Sequence, residues 1–224
     1  MPHLAVVIPV LTDSDALRAL LADIPRSGDA ELVVVDGGHD PALTSLVEAR
    51  PDTRVIRSAR GRGTQMNAGA RASTAGLILF LHADSRLPPG WQEALRSLPP
   101  GAVGGWFAFA LDADAWQARI LERLVRLRVA LFRLPYGDQG FFVRREVFER
   151  LGGFREWPLM EDVDFARRLV AAGQVVEVPL PLRTSARRWQ RDGWLRRSLR
   201  NVALLSLYSA GVPPARLARW YEGR

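Results

Sequence analysis

Two polar residues that follow a short apolar run are candidates for metal binding. His82 and Asp84 come directly after residues 77–81 and lie two positions apart, so both project to the same side of an extended segment. A carboxylate binds Mg²⁺ or Mn²⁺ while a substrate phosphate fills the remaining positions, and imidazole is compatible with Mn²⁺. We therefore predict a divalent-cation site at Asp84 with His82 beside it. The alternative is structural: Asp84 would cap the turn and His82 would be hydrogen-bonded in the core.

An acidic cluster opens a predicted helix further along the chain. Glu161, Asp162 and Asp164 occupy its first turn, where the helix dipole favours negative charge. The chemical interpretation is a general base, because crowding and partial burial raise the pKa of a carboxylate toward neutral pH. The residues alone leave both interpretations open.

Two further segments are candidates for binding a nucleoside and an anion. Asp36 ends a buried strand, and Gly37 after it lets a ligand approach the backbone, although helix capping is an alternative role for the carboxylate. Residues 58–70, SARGRGTQMNAGA, place glycines and arginines before a helix, an arrangement that suits an anion. This segment lacks the lysine of a P-loop, and it does not follow the first strand as the dinucleotide fingerprint does.

The elements that must position these residues alternate regularly through the first hundred positions. The apolar pattern predicts strands at residues 4–10, 31–35, 55–57 and 77–81 and helices at residues 13–24, 41–49 and 64–73. Continuous apolar strands between amphipathic helices indicate a parallel sheet that is covered on both faces. Ligands bind beyond the carboxyl ends of such strands, which here carry Pro9, Asp36 and the segment with His82 and Asp84.

The second half of the chain is less regular. Its pattern predicts strands at residues 103–111 and 174–178, a long helix at 115–134, the helix that Glu161 opens, and terminal helices at 192–209 and 214–221. No linker or repeat interrupts the chain, so one domain is the simplest interpretation.

The composition excludes several kinds of chemistry. The sequence has no cysteine and no lysine, and all 31 of its basic residues are arginines. Thiolate chemistry, Schiff bases and a phosphate-binding lysine are therefore excluded. Residues 183–224 hold ten arginines against Asp192 and Glu222, whereas the rest of the chain is close to neutral. This asymmetry predicts an anionic partner for the C-terminal segment.

Taken in order, these motifs resemble those of the family 2 glycosyltransferases with the GT-A fold. The matching segments are VVIPV, VVVDGGHD, ARGRGTQMNAGA, LFLHADSRLPPGW, GDQGFFVRREVFERLGGF, MEDVDFARRL and TSARRW. They span residues 6–189, and the bacterial arsenosugar-biosynthesis subgroup is the most similar. The resemblance implies an α/β, Rossmann-like single domain with a mostly parallel central sheet, helices on both faces and a helical C-terminal extension. Residues 1–190 would form the catalytic domain, with a nucleotide-binding half at 1–100 and an acceptor half at 101–190, and residues 191–224 would belong to the same domain.

The resemblance also assigns roles on the donor side. It implies that a set of residues flanks the nucleoside and the diphosphate: Pro9, Asp36, Gly37, Arg60, Arg62, Gln65 and Asn67. Asp84 corresponds to the last aspartate of the family's D-x-D motif, and His82 replaces the first one. Arg187 or Arg188 would neutralise the departing diphosphate.

On the acceptor side, Asp162 corresponds to the family's catalytic base, with Glu161 beside it. The residues that would shape the acceptor site are Gly137, Asp138, Gln139 and Trp157. We expect Asp36, Asp84 and Asp162 to converge on one pocket. The usual Asn-Glu after the first strand is missing from residues 11–17, and together with His82 this leaves the identity of the metal, Mn²⁺ or Mg²⁺, and the dependence on it open.

The implied reaction is the transfer of a sugar, with inversion, from a nucleotide-diphosphate sugar to an acceptor hydroxyl group. A UDP-sugar is the favoured donor, and a lipid-linked acceptor is an option. The implied location is the cytoplasm, with peripheral contact at the inner face of the membrane as an option.

One alternative is a sugar nucleotidylyltransferase, because residues 61–66, GRGTQM, are similar to that family's G-x-G-T-R-M. Another is a membrane-associated binding protein that acts through the basic amphipathic helix at 192–209, which would otherwise pack in a homodimer or on the sheet. Nucleic acid is not expected as a partner, since the arginines lack a recognisable binding module.

Overall fold

A computed structural model describes residues 3–26 and 30–222. The parts of the predicted domain at residues 1–2, 27–29 and 223–224 lie outside the described residues. Within the described part, eight strands form one sheet: β1 (Leu4–Val10), β2 (Ala30–Asp36), β3 (Thr53–Arg57), β4 (Leu77–Phe80), β5 (Ser85–Arg86), β6 (Ala102–Asp112), β7 (Phe141–Arg144) and β8 (Gln174–Ser185).

The helices follow the strands in the alternating order that the sequence predicts. They are α1 (Ser14–Asp23), α2 (Ala42–Glu48), α3 (Arg62–Ala72), α4 (Trp91–Arg96), α5 (Trp116–Phe132), α6 (Arg145–Arg150), α7 (Glu161–Ala172), α8 (Arg187–Asp192), α9 (Trp194–Ser209) and α10 (Pro214–Glu222). A single 3₁₀ turn at Gly137–Gln139 precedes β7.

The sheet has the strand order β3-β2-β1-β4-β7-β6-β8-β5. β3, β2, β1 and β4 pair in parallel, and β6 and β8 are parallel to each other, whereas β7 is antiparallel to both of its neighbours. All four residues of β4 are buried between β1 and β7, which explains why that strand is a continuous apolar run. The predicted fold class, an α/β domain with a mostly parallel sheet, is confirmed.

Helices cover both faces of the sheet. On one face α1, α2 and α4 bury leucines such as Leu17, Leu43 and Leu95 against the strands. On the other face α3, α5, α6, α7, α9 and α10 pack around an aromatic cluster in which the rings of Phe154 and Phe165 stack with centroids 4.1 Å apart. These two apolar layers hold the carboxyl ends of the central strands in place.

The last strand is longer than predicted. β8 continues to Ser185, whereas the pattern predicted an end at residue 178. Pro179 and Pro181 account for the error, because proline cannot donate to a strand ladder and usually marks the end of a strand or a bulge. Here the register of β8 against β6 shifts between Phe107 and Ala108, opposite the two prolines. A β-bulge therefore accommodates them, and the strand carries Thr184 and Ser185 toward the site.

The C-terminal segment is helical, as predicted, but it is divided differently. The predicted helix at 192–209 corresponds to α9 alone, and a separate short helix, α8, ends before Gly193. Gly193 has a φ of +84°, a conformation that glycine adopts without strain, and it turns the chain between the two helices. In the part of the chain that the structure describes, no helix has the length and apolarity to span a bilayer.

Candidate active site

A cavity of about 140 Å³ lies at the carboxyl edge of the sheet. Its walls come from the segment after β4, the 3₁₀ turn, the start of α7 and the C-terminal helices. The polar side chains that line it are Arg62, His82, Asp84, Tyr136, Asp138, Asp162, Thr184, Ser185, Arg188, Trp189, Arg197, Asn201 and Tyr221. Pockets for whole drug-sized ligands are usually about 300–1,000 Å³. This cavity therefore fits the reacting part of a larger molecule rather than all of it.

The 3₁₀ turn joins the two halves of the cavity wall. The backbone N–H of Gly137 donates to Oδ2 of Asp162 at 3.0 Å, and the N–H of Val163 donates to Oδ1 at 2.8 Å. A Cβ at Gly137 would lie 3.1 Å from Nε2 of His82 and 3.3 Å from Oδ2 of Asp162. Position 137 must therefore be a glycine-sized residue, because the side chains of His82 and Asp162, 80 positions apart in the chain, both pack against it.

Glu161 is buried and forms an ion pair with Arg62. Nε of Arg62 donates to Oε1 of Glu161 at 2.5 Å, while Oε2 of Glu161 has no hydrogen-bond partner among the described residues. Burial raises the pKa of Glu161, and Arg62 opposes that rise. Burial would lower the pKa of Arg62, but the carboxylates of Glu161 and Asp162 raise it above its usual value. Arg62 is therefore a permanent cation in the cavity wall.

His82 is uncharged at neutral pH. Burial, followed by the positive charge of Arg62, lowers the pKa of His82 to about 4, although Asp84 and Asp162 favour its charged form. A neutral imidazole offers a lone pair to a metal or to a hydrogen-bond donor. This property suits the metal-ligand role that the sequence predicts for His82.

Asp138 is an acid whose environment the sequence did not reveal. Burial raises its pKa to about 6, with Arg128 opposing the rise and the charges of Asp162 and Asp84 adding to it. Its Oδ1 is buried and has no hydrogen-bond partner within the described chain. The sequence predicted a raised pKa in the cluster at the start of α7. The structure places such shifts on Glu161 and Asp138.

Three amide side chains expected near a ligand are instead bonded to the backbone. Nε2 of Gln65 donates to the carbonyl oxygens of Val10 and Val35, each at 2.8 Å. Asn67 exchanges two hydrogen bonds with the backbone of Phe154, at 2.8 and 2.9 Å. Nε2 of Gln139, which is buried like the other two, donates to the carbonyl of Phe107 at 3.2 Å. In this structure these amides support the strand ends and loops around the cavity.

Asp36 and Gly37 also make contacts within the protein. Oδ1 of Asp36 accepts hydrogen bonds from the backbone N–H groups of Gly38 and His39, at 3.0 and 2.7 Å. A Cβ at Gly37 would lie 2.6 Å from Cδ of Gln65, so this glycine allows close packing against a side chain rather than against a ligand.

Asp36, Gly37 and Pro9 lie at the same edge of the sheet as the cavity but do not line it. Of the three aspartates expected to converge on one pocket, Asp84 and Asp162 line this cavity and Asp36 does not. The reason is that β1 separates β2 from β4 in the sheet, so Asp36 ends a strand that is not adjacent to β4.

The structure distinguishes two neighbouring arginines. Arg188 lines the cavity, whereas Nη2 of Arg187 donates to Oδ2 of Asp13 at 2.7 Å outside it. Arg60 is exposed in the loop before α3, also away from the cavity. Trp157 packs against Tyr208 with ring centroids 6.4 Å apart and does not line the cavity.

Five residues of the C-terminal helices that the sequence did not indicate as site residues complete the wall: Trp189, Arg197, Asn201, Leu204 and Tyr221. Arg197 is 5 % exposed, and it donates to Oδ2 of Asp192 at 2.6 Å and to the hydroxyl of Tyr221 at 3.1 Å. Nε of Arg197 is buried with no partner in the described part of the chain. Nothing in the sequence distinguished Arg197 from the other arginines of its segment, because only the packing of α9 and α10 turns it inward.

A metal ion fits this cavity only together with a ligand. In the described ranges, no group of three or more His, Asp or Glu side chains is arranged to hold an ion. His82 and Asp84 offer one neutral nitrogen and one carboxylate, and Asp138 adds an unpartnered oxygen to the same cavity. Phosphate oxygens of a bound ligand would complete the coordination, as is common for Mg²⁺.

The comparisons with known proteins identify relatives of this chain. The family model described as "Glycosyl transferase family 2" matches residues 5–152. The uncharacterised protein MT1568 of Mycobacterium tuberculosis (strain CDC 1551) is 30 % identical over 207 residues, which cover 80 % of this chain and 65 % of that protein. The uncharacterised glycosyltransferase Rv0539 of M. tuberculosis (strain H37Rv) is 35 % identical over 86 residues, 38 % of each chain. The chain thus spans less than two thirds of the length of these relatives.

Solved structures share the fold. The mannosyltransferase PcManGT from Pyrobaculum calidifontis, in complex with GDP-Man and Mn²⁺, superposes with a TM-score of 0.61 at 18 % identity, covering 99 % of this chain and 79 % of that one. S. aureus TarS 1–349 in complex with UDP-GlcNAc has a TM-score of 0.59 at 13 % identity, covering 81 % of this chain and 58 % of that one. At these identities the likeness concerns the fold.

We predict that His82 stays neutral well below neutral pH. Its imidazole signal in NMR should titrate with a pKa near 4, because burial and Arg62 disfavour the cation. The exposed His39 supplies a comparison signal in the same spectrum. Replacement of the cation in Arg62→Gln should raise the pKa of His82. A titration of His82 near 6.5, the value of a free imidazole, would contradict the geometry described above.

We also predict that Gln65→Leu destabilises the protein by about 1–3 kcal/mol, because it removes two buried hydrogen bonds, one to the carbonyl of Val35 and one to the carbonyl of Val10, which keeps the N–H of Gly37 as a donor. Urea denaturation measures this loss, and the exposed Gln190 provides the matched control Gln190→Leu. A Gln65→Leu variant as stable as the wild type would show that the side chain does not support the strand ends.

Proposed function

The chain belongs to glycosyl transferase family 2, and on that premise we propose that it transfers a sugar from a nucleotide-diphosphate sugar to an acceptor hydroxyl group. The observation that carries the proposal is that Asp84, Asp162 and Arg188, from three distant parts of the chain, line one cavity. A carboxylate for a cation, a carboxylate for a proton and an arginine for a leaving anion are the groups that such a transfer needs.

Asp162 acts as the general base in this proposal. Its two oxygens accept hydrogen bonds from the backbone of Gly137 and Val163, which fixes the plane of the carboxylate. One of the remaining lone pairs takes the proton of the acceptor hydroxyl as its oxygen forms a bond to the anomeric carbon. The bond from that carbon to the diphosphate breaks on the opposite side, so the configuration inverts. Glu161, held by Arg62, anchors the turn that carries Asp162.

The leaving diphosphate gathers negative charge as its bond to the sugar breaks. Arg188 and Arg62 line the cavity and present fixed positive charge to it, and Arg197 adds a third guanidinium that the sequence did not predict. Such preorganised charge stabilises a transition state more than the ground state.

His82 and Asp84 would hold a divalent cation, Mn²⁺ or Mg²⁺, against the diphosphate. The ion would supply further charge neutralisation for the leaving group. PcManGT contains Mn²⁺ beside GDP-Man in a chain of the same fold, which supports the assignment.

The nucleoside would lie outside the cavity, along the sheet edge toward β1 and β2. The cavity of about 140 Å³ is too small for a whole donor, and Pro9, Asp36, Gly37 and Arg60 lie on that side. A UDP-sugar is our first choice of donor, with GDP-mannose as the comparison because TarS and PcManGT were solved with UDP-GlcNAc and GDP-Man. The proposed sugar transfer does not require that the chain belong to the arsenosugar-biosynthesis subgroup.

On the acceptor side we place Gly137 and Asp138, next to the proposed base. Asp138, whose pKa of about 6 lies near neutrality, is able to share a proton with an incoming hydroxyl group. We also assign the C-terminal helices to the catalytic domain, because Asn201, Leu204 and Tyr221 line its cavity.

The nucleotidylyltransferase alternative is less favoured. It rested on the similarity of residues 61–66 to the motif G-x-G-T-R-M, and in this structure Arg62 and the residues after it belong to α3. Arg62 is paired with Glu161, and a Cβ at Gly63 would meet the carbonyl oxygen of Arg155 at 2.3 Å. The segment is packed against α7 and the loop before it.

We predict that Asp162→Asn lowers turnover of the donor by about 10²- to 10⁴-fold, because the amide cannot accept the acceptor proton. Release of UDP or GDP from UDP-sugars and GDP-mannose with Mn²⁺ measures this loss, and calorimetry with UDP should show nearly unchanged binding. Asp164→Asn is the matched control, since Asp164 lies on the same turn, pairs with Arg168 and does not line the cavity. Equal loss in both variants, or none in Asp162→Asn, would remove Asp162 from the base role.

We predict that Arg188→Gln weakens the binding of UDP by about 10- to 100-fold, the usual cost of losing a charged hydrogen bond. Arg187→Gln should change it little, because Arg187 faces Asp13 instead of the cavity. Calorimetry with UDP, in Mn²⁺ and again in EDTA, tests both the arginine and the metal. UDP binding that is insensitive to EDTA would contradict the proposed cation, and equal effects of the two arginine variants would contradict the site geometry.

A further inference from the structure

Helices α5 and α9 present apolar side chains to solvent in regular rows. These side chains are between 45 % and 73 % exposed: Trp116, Ile120, Leu124, Leu127, Leu131 and Phe132 on α5, and Leu195, Leu199 and Val202 on α9. Apart from Trp220 on α10, they are the large apolar side chains of such exposure in the part of the chain that the structure describes. They recur mostly every three or four residues, so each helix has an apolar stripe toward solvent. We call the two stripes together the apolar face.

A groove of about 790 Å³ runs between the two stripes. Leu121, Leu124 and Val125 of α5 line one side, and Val202 and Leu205 of α9 line the other. Leu124 and Val202 belong both to the groove and to the apolar face, so the groove opens on that face. Its size is that of a pocket for a ligand with a substantial apolar part.

The groove adjoins the candidate active site. Tyr136, Asp138, Trp189 and Asn201 line both the groove and the cavity that contains Asp162. A molecule whose apolar end lies between α5 and α9 would therefore bring its polar end to the proposed base.

The charge around the apolar face is positive. α5 carries four arginines and one glutamate, and that glutamate, Glu122, is buried and paired with Arg119. α9 carries Arg196 and Arg200 besides the buried Arg197, and it has no acidic residue. Arg128, Arg133 and Arg167 also line the groove, and the guanidinium of Arg128 stacks on the ring of Tyr136 at 3.6 Å. Apolar side chains bordered by arginines are the combination that binds the surface of an anionic bilayer.

We propose that the apolar face docks on an anionic lipid bilayer and that the groove holds the hydrocarbon chain of a lipid whose polar head reaches the active-site cavity. The inference rests on the proposed function in one respect: the lipid would then carry the acceptor hydroxyl group. A symmetric pairing of two copies through this face is the competing occupant. Such a pairing would bring the arginines of two identical faces together, and their like charges would repel each other. It would also not explain why the groove and the cavity share lining residues.

Docking is tested with vesicles and without any donor sugar. The wild type should co-sediment with vesicles of phosphatidylglycerol and phosphatidylcholine, bind pure phosphatidylcholine much less, and release in high salt. The double variant Leu127→Glu with Leu199→Glu should reduce this binding at least tenfold. Its charge-matched control is Ala42→Glu with Ala49→Glu, at exposed positions of the opposite face of the sheet, and it should bind like the wild type.

Failure of the wild type to bind anionic vesicles, or equal binding by the Leu127→Glu/Leu199→Glu variant, would overturn the proposal. A dimer in sedimentation equilibrium that this variant dissociates would overturn it in favour of self-association.

Occupation of the groove is tested with hexyl, octyl and decyl phosphate below their micelle concentrations. The affinity of the wild type should rise with chain length, by up to about fourfold for each buried methylene group. Ser198→Trp, which fills the groove, should abolish the dependence on chain length, whereas Ala203→Trp, at an exposed position of α9 outside the groove, should preserve it. An affinity that does not depend on chain length in the wild type would overturn the groove assignment.

These outcomes are separable from the proposed function. Vesicle and alkyl phosphate binding need no catalysis, so they would persist if no nucleotide sugar were turned over. Conversely, donor turnover with a water-soluble alcohol and no lipid binding would leave the transferase proposal intact and remove the lipid.

Discussion

The ion pair between the buried Glu161 and Arg62, whose side chain is 36 % exposed, is the interaction on which the site depends. Glu161 is almost completely buried, and a carboxylate in that position needs a cation, because an unpaired buried charge costs several kcal/mol. The pair ties the first turn of α3, from the parallel half of the sheet, to the first turn of α7, from the other half. Asp162 follows Glu161 directly, so this contact also fixes the position of the proposed base relative to Arg62 and His82.

Burial gives the groups around this pair different protonation states at neutral pH. His82 is neutral and Asp138, whose pKa is raised to about 6, is mostly ionised, while Arg62 stays charged. A cavity that held only ionised carboxylates would repel a diphosphate. Here the arginines and the neutral imidazole offset the acidic residues, so an anionic donor and a proton acceptor are able to share a small space.

The C-terminal helices serve two surfaces at once. α9 supplies Arg197 and Leu204 to the cavity on its inner side and carries the row of Leu195, Leu199 and Val202 on its outer side. The same helix therefore lines both the cavity and the groove next to it. This arrangement links the basic, amphipathic character of the last forty residues to the reaction, rather than to a separate tail.

The sequence by itself determined the strands of the parallel half, because buried strands must be apolar, and the order of its motifs determined the family. It also distinguished Asp84, after a buried strand, and Asp162, in the acidic first turn of a helix. It did not determine which polar side chains face the cavity. Gln65, Asn67 and Asp36 have groups that bind a ligand or a backbone equally well, and only the tertiary structure brings the backbone of Val10, Phe154 and Gly38 to them. Arg187 and Arg188 are adjacent and identical in type, and the turn of α8 alone separates their roles. Hydrogen bonds and ion pairs between residues far apart in the chain depend on distances that no local pattern records.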